Sequence, residues 1–183
     1  MTRGFVLGAS SHPNSRYPNP PYPNSRYPDS QYHSRMSFAS LTRRVAFAAA
    51  HRYRRPEWSD ARNAEVFGLC ARPSFHGHSY VCHVTVRGPL DETTGFCMDL
   101  GLLDRILGDE VRERFDHRNL NTDVAEFADG AQIPSGENLA RLIAGRVQAR
   151  LAEALGASAP TVERVVVAED ESLSATFEPA RDA

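Results

Sequence analysis

From His78 to Arg87 the chain alternates with a period of two, with Tyr80, Cys82, Val84 and Val86 on one side and Ser79, His83, Thr85 and Arg87 on the other. Successive side chains of an extended segment point to opposite faces, so this stretch predicts a strand with two chemically different faces. A second strand is expected over Thr42 to His51, where Val45 and Phe47 alternate with smaller or polar neighbours. A loop containing Pro56, Gly68 and Pro73 separates the two. Gly95 to Asp99 is a candidate short third strand. Asp99 then caps a helix whose apolar stripe runs Leu100, Leu103, Leu107, Val111, Phe115 and which should end near Asp116. Ser135 is the expected N-cap of a second helix, with a stripe of Leu139, Leu142, Ile143, Val147, Leu151 and Leu155, arginines on its other face, and Gly156 at its close. Thr161 to Val167 and Leu173 to Phe177 read as strands around a polar bend at Glu169 to Ser172. Strands, two helices and then strands predict an α+β fold: an antiparallel sheet with two helices packed on one face.

Residues 1–35 differ from everything after them. Tyrosine recurs at positions 17, 22, 27 and 32, six of the twelve prolines lie here, and Asn-Ser-Arg-Tyr-Pro occurs twice. With so few aliphatic residues the segment cannot bury enough surface to offset the entropy of ordering, so it is expected to be a disordered low-complexity tail. Met36 follows directly and is an alternative start, leaving one domain over residues 36–183. All 21 basic residues are arginine, which removes Schiff-base lysine chemistry and the phosphate loop ending in Gly-Lys. A formal charge of -2 gives no basis for nucleic-acid binding. Cys70, Cys82 and Cys97 form an odd set without paired spacing, which fits a reducing cytoplasm better than a secreted disulfide framework. No apolar run approaches the roughly 20 residues that span a bilayer.

In a strand, residues i and i+2 share a side, so His76-Gly77-His78 puts two imidazoles next to each other. Neutral imidazole is a natural zinc ligand, and catalytic zinc takes three protein ligands with one position open. His51, ending the first strand, can supply the third. Spacing alone leaves open a polar surface turn, because short motifs have low specificity. Cys70, in a loop six residues before His76, is a chemical candidate, since a nearby zinc would favour its thiolate. Cys82 and Cys97 lie within apolar alternation and read as buried hydrophobes. Asp116 and His117 fit a carboxylate–imidazole relay, or equally an ordinary helix C-terminus.

Taken together, these fragments resemble the family of 6-pyruvoyl tetrahydropterin synthase and 6-carboxytetrahydropterin synthase, from about Arg44 to Phe177. The resemblance is carried by Phe47-Ala48-Ala49-Ala50-His51, Phe67-Gly68-Leu69-Cys70, His76-Gly77-His78-Ser79-Tyr80 and Gly95-Phe96-Cys97-Met98-Asp99-Leu100. It continues through Phe115-Asp116-His117-Arg118-Asn119-Leu120-Asn121, Gly136-Glu137-Asn138-Leu139-Ala140 and Val165-Val166-Val167-Ala168-Glu169. It implies a tunnelling-type fold whose sheets join between subunits into a β-barrel, with a homohexamer and active sites between subunits. It further implies zinc on His51, His76 and His78, Cys70 as general base, Asp116 with His117 as proton relay, and Glu169 as the anchor of a small-molecule pterin. Ser135 and Glu137 match a second pterin-contacting segment. Gly136 stands where a hydroxyl residue is often found, and Asp170 where a threonine commonly follows the glutamate.

The implied substrate is 7,8-dihydroneopterin triphosphate. Two products divide the family: 6-pyruvoyl tetrahydropterin, towards biopterin, and 6-carboxytetrahydropterin with acetaldehyde, towards deazaguanine nucleosides such as queuosine. The five residues between Cys70 and His76 resemble the first type. The arginine-only, alanine-rich composition points to the second, which is the expectation adopted from the sequence. A non-catalytic zinc-stabilised binding module is the alternative of another class; the presence of Cys70, Asp116, His117 and Glu169 beside the histidines argues against it. Beginning the chain at Met36 is expected to leave solubility and turnover unchanged, because residues 1–35 cannot bury a core. Expression and assay of that shortened chain check this, and loss of either property would assign the segment a structural role.

Overall fold

Two 14-residue strands, β1 (Phe38–His51) and β2 (His76–Pro89), pair antiparallel along their whole length and carry the rest of the fold. The computed structural model describes residues 36–180; the expected low-complexity tail over 1–35, and residues 181–183, lie outside the described residues. On the other side of β2 lies β4 (Thr161–Ala168), antiparallel, and β5 (Ser174–Phe177) pairs antiparallel with β4 at the edge. A two-residue strand, β3 (Arg118–Asn119), runs parallel to the end of β1, completing the order β3-β1-β2-β4-β5. The sheet is therefore antiparallel except at this one short pairing.

Period two decides which face is covered. Val45, Phe47, Ala49 and His51 of β1, and Tyr80, Cys82, Val84 and Val86 of β2, are all buried on the helix side. In β4 the buried valines include Val162 and Val165, three residues apart, which would face opposite sides of a regular strand. The register slips between Thr85 and Val86, so that Arg164 and Val162 oppose consecutive residues of β2 and Glu163 is the extra one. This bulge returns both valines to the core.

The two long helical segments cover that face. The first starts with Asp99, whose side chain accepts from the Leu102 N–H at 2.8 Å, and runs as α2 (Leu100–Leu107), a π turn (Gly108–Arg112) and α3 (Glu113–Phe115). Leu103, Leu107, Val111 and Phe115 of the expected stripe are buried, as is Ile106, while Leu100 is exposed on the first turn. The second, α5 (Gly136–Leu155), is capped by Ser135 and closed by Gly156 at φ 58°. Leu139, Ile143, Val147 and Leu151 are buried, Leu142 is half-buried, and Leu155 is exposed where the helix leaves the core. Two arginines of α5 reach across: Arg146 Nε donates to Glu110 Oε2 at 2.6 Å and Arg150 Nε lies 3.5 Å from Glu110 Oε1, which partners a buried carboxylate.

Three sequence expectations change. Gly95 to Asp99 is not a strand; it closes a turn in which Asp91 Oδ1 accepts from Thr93 N, Thr94 N and Thr94 Oγ1. The loop after β1 contains a helix, α1 (Asp60–Phe67), capped by Ser59, and a 3-10 turn over Gly68–Ala71 that carries Cys70. A further single turn, α4 (Leu120–Asp123), follows β3. No helix of the described residues is long and apolar enough to cross a membrane, and Cys70, Cys82 and Cys97 are free thiols. Cys82 is fully buried, as expected, whereas Cys97 is half-buried at the margin of the core.

Phe115 is fully buried at the end of α3 with its ring centroid 5.6 Å from that of Phe47. Phe115→Ala is expected to cost about 3–5 kcal/mol of stability through lost burial and the cavity left behind. Urea denaturation checks it, and a loss below about 1 kcal/mol would show that this helix end is not fixed by the core.

Candidate functional site

The β1–β2 register sets His51 opposite His76 and Ala49 opposite His78. Because 76 and 78 have the parity of Tyr80 and Cys82, all three imidazoles face the covered side of the sheet at one end of the ladder. One ring nitrogen from each lies within 4.8 Å of the others. His51 Nε2 and His76 Nε2 are 3.1 Å apart, and the ring centroids are separated by 4.6, 5.0 and 5.1 Å. Zinc–nitrogen distances of about 2.0–2.1 Å in a tetrahedral site require nitrogen pairs roughly 3.3 Å apart, close to this spacing.

The outward nitrogen of His51 fixes its tautomer. His51 Nδ1 lies 3.1 Å from the Pro134 carbonyl, which can only accept, so that nitrogen carries the proton and Nε2 presents a lone pair to the cluster. The Tyr80 hydroxyl sits 3.1 Å from the same Nδ1. Burial pushes His51 down from 6.5 to about 4, with the two neighbouring histidines adding to the shift; burial and His78 also lower His76. Both are neutral near pH 7. His78 Nε2 is buried without a hydrogen-bond partner, and Glu169 Oε2 lies 3.7 Å away, beyond hydrogen-bond reach. Three converging imidazoles, one with a buried nitrogen that has no hydrogen-bond partner, are a donor set that fits a divalent metal.

Glu169 links this cluster to a cavity of about 420 Å³, walled by Tyr53, Phe67, Ser135, Glu137, Glu169 and Leu173 among others. The carboxylate is buried and accepts from the Tyr53 hydroxyl through Oε1 at 3.4 Å. Tyr53 packs edge-on against His51 and Phe67, and Phe67 stacks on Trp58. The Tyr53 N–H donates to the Cys70 carbonyl at 2.8 Å, tying the 3-10 turn to the end of β1. Cys70 is half-buried, and burial followed by the nearby Glu169 charge pushes its thiol up from the usual value. The sequence expectation was a lowered value beside zinc; the protein groups alone act in the opposite direction.

The two departures in this region have packing explanations. A Cβ on Gly136 would approach the Ala175 Cβ to 3.0 Å, so a side chain there would require β5 to give by a few tenths of an ångström. Asp170 Oδ1 accepts from Ser172 N, Ser172 Oγ and Leu173 N at 2.7, 2.7 and 3.0 Å, while Glu169 N donates to the Leu173 carbonyl. Asp170 thus shapes the bend between Glu169 and Leu173. Ser135 and Glu137 both line the cavity, the former with its Oγ engaged as the helix cap at 3.4 Å from Asn138 N.

Asp116 and His117 are placed elsewhere. Asp116 Oδ1 accepts from the Ala48 N–H and His117 N donates to the Ala48 carbonyl, so the pair occupies both backbone groups of one β1 residue. Asp116 Oδ2 is 3.1 Å from His117 Nδ1, and the Ala48 N–H, then His117, hold the Asp116 carboxyl below its usual value. His117 has φ 57°, unusual for a non-glycine residue, and its side chain is 85% exposed. It lines an open depression of about 530 Å³ with Ala48–Ala50, Gly77–Ser79 and Arg118–Asn119, which shares only His78 with the cluster. Within one chain the relay is not part of the cavity that Glu169 walls. Sequence reasoning missed Tyr53, Tyr80 and Pro134; for Tyr80 the signal was its position two residues beyond His78 on the same side of β2, whereas Tyr53 lies past the end of β1, where strand parity gives no signal.

A family model described as 6-pyruvoyl tetrahydropterin synthase matches residues 40–180. The 6-pyruvoyl tetrahydrobiopterin synthase of Drosophila melanogaster is 41% identical over 118 residues, 64% of this chain and 69% of its own. The solved 6-pyruvoyl tetrahydropterin synthase of Caenorhabditis elegans superposes with a TM-score of 0.71 at 30% identity, covering 80% of this chain and 99% of its own. The 6-carboxy-5,6,7,8-tetrahydropterin synthase of Bacillus subtilis is 31% identical over 119 residues, 64% of this chain and 75% of its own.

Since His51 binds its proton at about pH 4 when folded and at about 6.5 when unfolded, the unfolded chain holds more protons between these values. Stability of the metal-free protein is therefore expected to be full above pH 6.5 and to fall as the pH drops towards 4, by up to roughly 3 kcal/mol from this group. Chelator-treated protein unfolded by urea across this range tests it, with His51→Gln flattening the curve. A curve of the same slope in that variant would remove His51 as the cause.

Proposed function

Because the chain belongs to the 6-pyruvoyl tetrahydropterin synthase family, we propose that it converts 7,8-dihydroneopterin triphosphate to 6-pyruvoyl tetrahydropterin with loss of triphosphate. The observation that carries this reading is the contact between two devices: three converging imidazoles and, 3.7 Å from one of them, a buried carboxylate walling a cavity large enough for a bicyclic ring. The composition-based expectation of 6-carboxytetrahydropterin gives way to its alternative. The animal relatives are more similar than the bacterial 6-carboxy enzyme, and the five-residue interval between Cys70 and His76, read from the sequence as resembling the 6-pyruvoyl type, points the same way. Arginine and alanine content reflects the whole chain, whereas product choice depends on a few groups around the side chain of the substrate.

Glu169 receives the pterin ring, accepting two parallel N–H bonds from its amidine-like edge as it would from a guanidinium. Ser135 and Glu137 line the same cavity and bound the ring from α5. The substrate side chain then extends towards His51, His76 and His78, which would hold zinc; when bound, the ion would supply Lewis acidity and favour the ionised thiol of Cys70. Cys70 removes a proton from the side-chain carbon, and His117, oriented by Asp116, moves a proton at a second position. Hydrogens are redistributed and triphosphate departs, so electrons balance without an external oxidant or reductant.

The exposure of His117 and its separation from the Glu169 cavity support a homo-oligomer, read as a hexamer, in which the relay of one copy completes the pocket of another. The short β3 and the edge strand β5 are the sheet borders that association into a barrel would close. The free cysteines fit a cytoplasmic setting.

Mass spectrometry of the products from 7,8-dihydroneopterin triphosphate tests the reading. 6-Pyruvoyl tetrahydropterin without acetaldehyde is expected; stoichiometric acetaldehyde would restore the 6-carboxy product, and no turnover by zinc-loaded protein would favour a binding module. Cys70→Ala is expected to keep zinc and pterin affinity while losing about 10² to 10⁴-fold in turnover. His76→Ala should lose both metal and activity.

A further inference from the structure

One side chain outside the expected set touches one of the three histidines, the turn that holds the thiol, and the carboxylate anchor. The Tyr53 ring meets His51 edge-on with centroids 4.9 Å apart and Phe67 at 5.8 Å. Its N–H bonds the Cys70 carbonyl at 2.8 Å, and its hydroxyl donates to Glu169 Oε1 at 3.4 Å from the wall of the cavity. The ring is thus held on two sides by aromatic neighbours and along the chain by a backbone bond, which leaves the hydroxyl little freedom. We propose that Tyr53 is a positioning residue that sets selectivity for the pterin ring, orienting the Glu169 carboxylate so that both oxygens meet the amidine edge together. The proposal rests on the reading that Glu169 receives that ring.

The chemistry follows from counting lone pairs. A carboxylate offers about four acceptor sites, two on each oxygen. The Tyr53 hydroxyl takes one on Oε1, leaving a second on that oxygen and the sites of Oε2 for two parallel N–H bonds. A glutamate has a soft terminal torsion, broad and roughly two-fold, so an unheld carboxylate can turn and trade the bidentate geometry for a single bond. A ring with a carbonyl in place of the 2-amino group presents an acceptor to one oxygen, and only a carboxylate held in one orientation rejects it strongly. Tyr53 also contributes a hydroxyl rather than a charge, so it orients Glu169 without neutralising the carboxylate that the amidine edge needs.

The test compares pterin with lumazine, its 2-oxo counterpart, as ligands of the zinc-loaded full chain by calorimetry. Tyr53→Phe keeps the ring and its contacts and removes one oxygen. It is expected to weaken pterin about fivefold or more, the scale of one ordinary hydrogen bond, and to leave lumazine within about twofold, so that the selectivity ratio falls. Zinc content and unfolding temperature should match the parent, and KM should rise more than kcat falls. An unchanged ratio in Tyr53→Phe, or equal weakening of both ligands, overturns the proposal, the second outcome marking a packing role. Glu169→Gln is measured alongside. If it weakens pterin while Tyr53→Phe does not, only the Tyr53 inference fails; if it binds pterin as tightly as the parent, the placement of the ring on Glu169 fails and the inference with it.

Discussion

Everything at the site depends on the pairing of β1 with β2. A ladder of fourteen pairs ends with His51 beside His76, and a slip of one residue would send both His76 and His78 to the open side of the sheet, because side-chain direction alternates. The same ladder places Phe47 against Tyr80, whose rings stack with centroids 4.9 Å apart, so the core and the imidazole cluster are locked by one register. Long antiparallel pairing with one buried face is strongly specified, which makes it a suitable base for a constellation that requires three nitrogens to converge.

Around that base the electrostatics are unbalanced in a consistent direction. Burial keeps His51 and His76 neutral, His78 Nε2 lacks a partner, and Glu169 carries its charge into a nearly closed position beside them. Cys70 is raised by the same burial and by that carboxylate. Lone pairs and negative charge gather where no arginine enters, although arginines follow His51 at 52, 54 and 55. These three are directed to Asp129, Asp60 and the Ala131 carbonyl instead. Such an arrangement is costly as it stands and would be stabilised by a cation, the usual logic of a buried set of donors.

The parts legible in the sequence were those with a period, a β-branched run or a cap. Alternation marked β1 and β2, a β-branched run before a polar bend marked β4, the apolar stripes marked both long helices, and Asp99 and Ser135 cap where the spacing placed them. Elements without a period or such a run were not legible. β3 is two residues long, α1 is polar on most of its surface with Asn63 as its buried residue, and the π turn at Gly108–Arg112 leaves the four-residue spacing of Leu107, Val111 and Phe115 intact. The histidine triad was readable as a possibility from His-Gly-His and became a geometry only through pairing. The position of Asp116 and His117 away from the Glu169 cavity depends on a parallel contact between segments about 70 residues apart, which no local pattern encodes.

The chain of aromatic contacts running outward from the imidazoles ends on a residue that occurs once. Trp58 stacks on Phe67 at 5.7 Å, Phe67 meets Tyr53, and Tyr53 meets His51. The single indole of the protein is therefore three ring contacts from His51 and borders the Phe67 wall of the cavity. Its fluorescence, excited beyond the tyrosine band, is an intrinsic optical signal for events in the pocket, readable without a label and free of any second tryptophan.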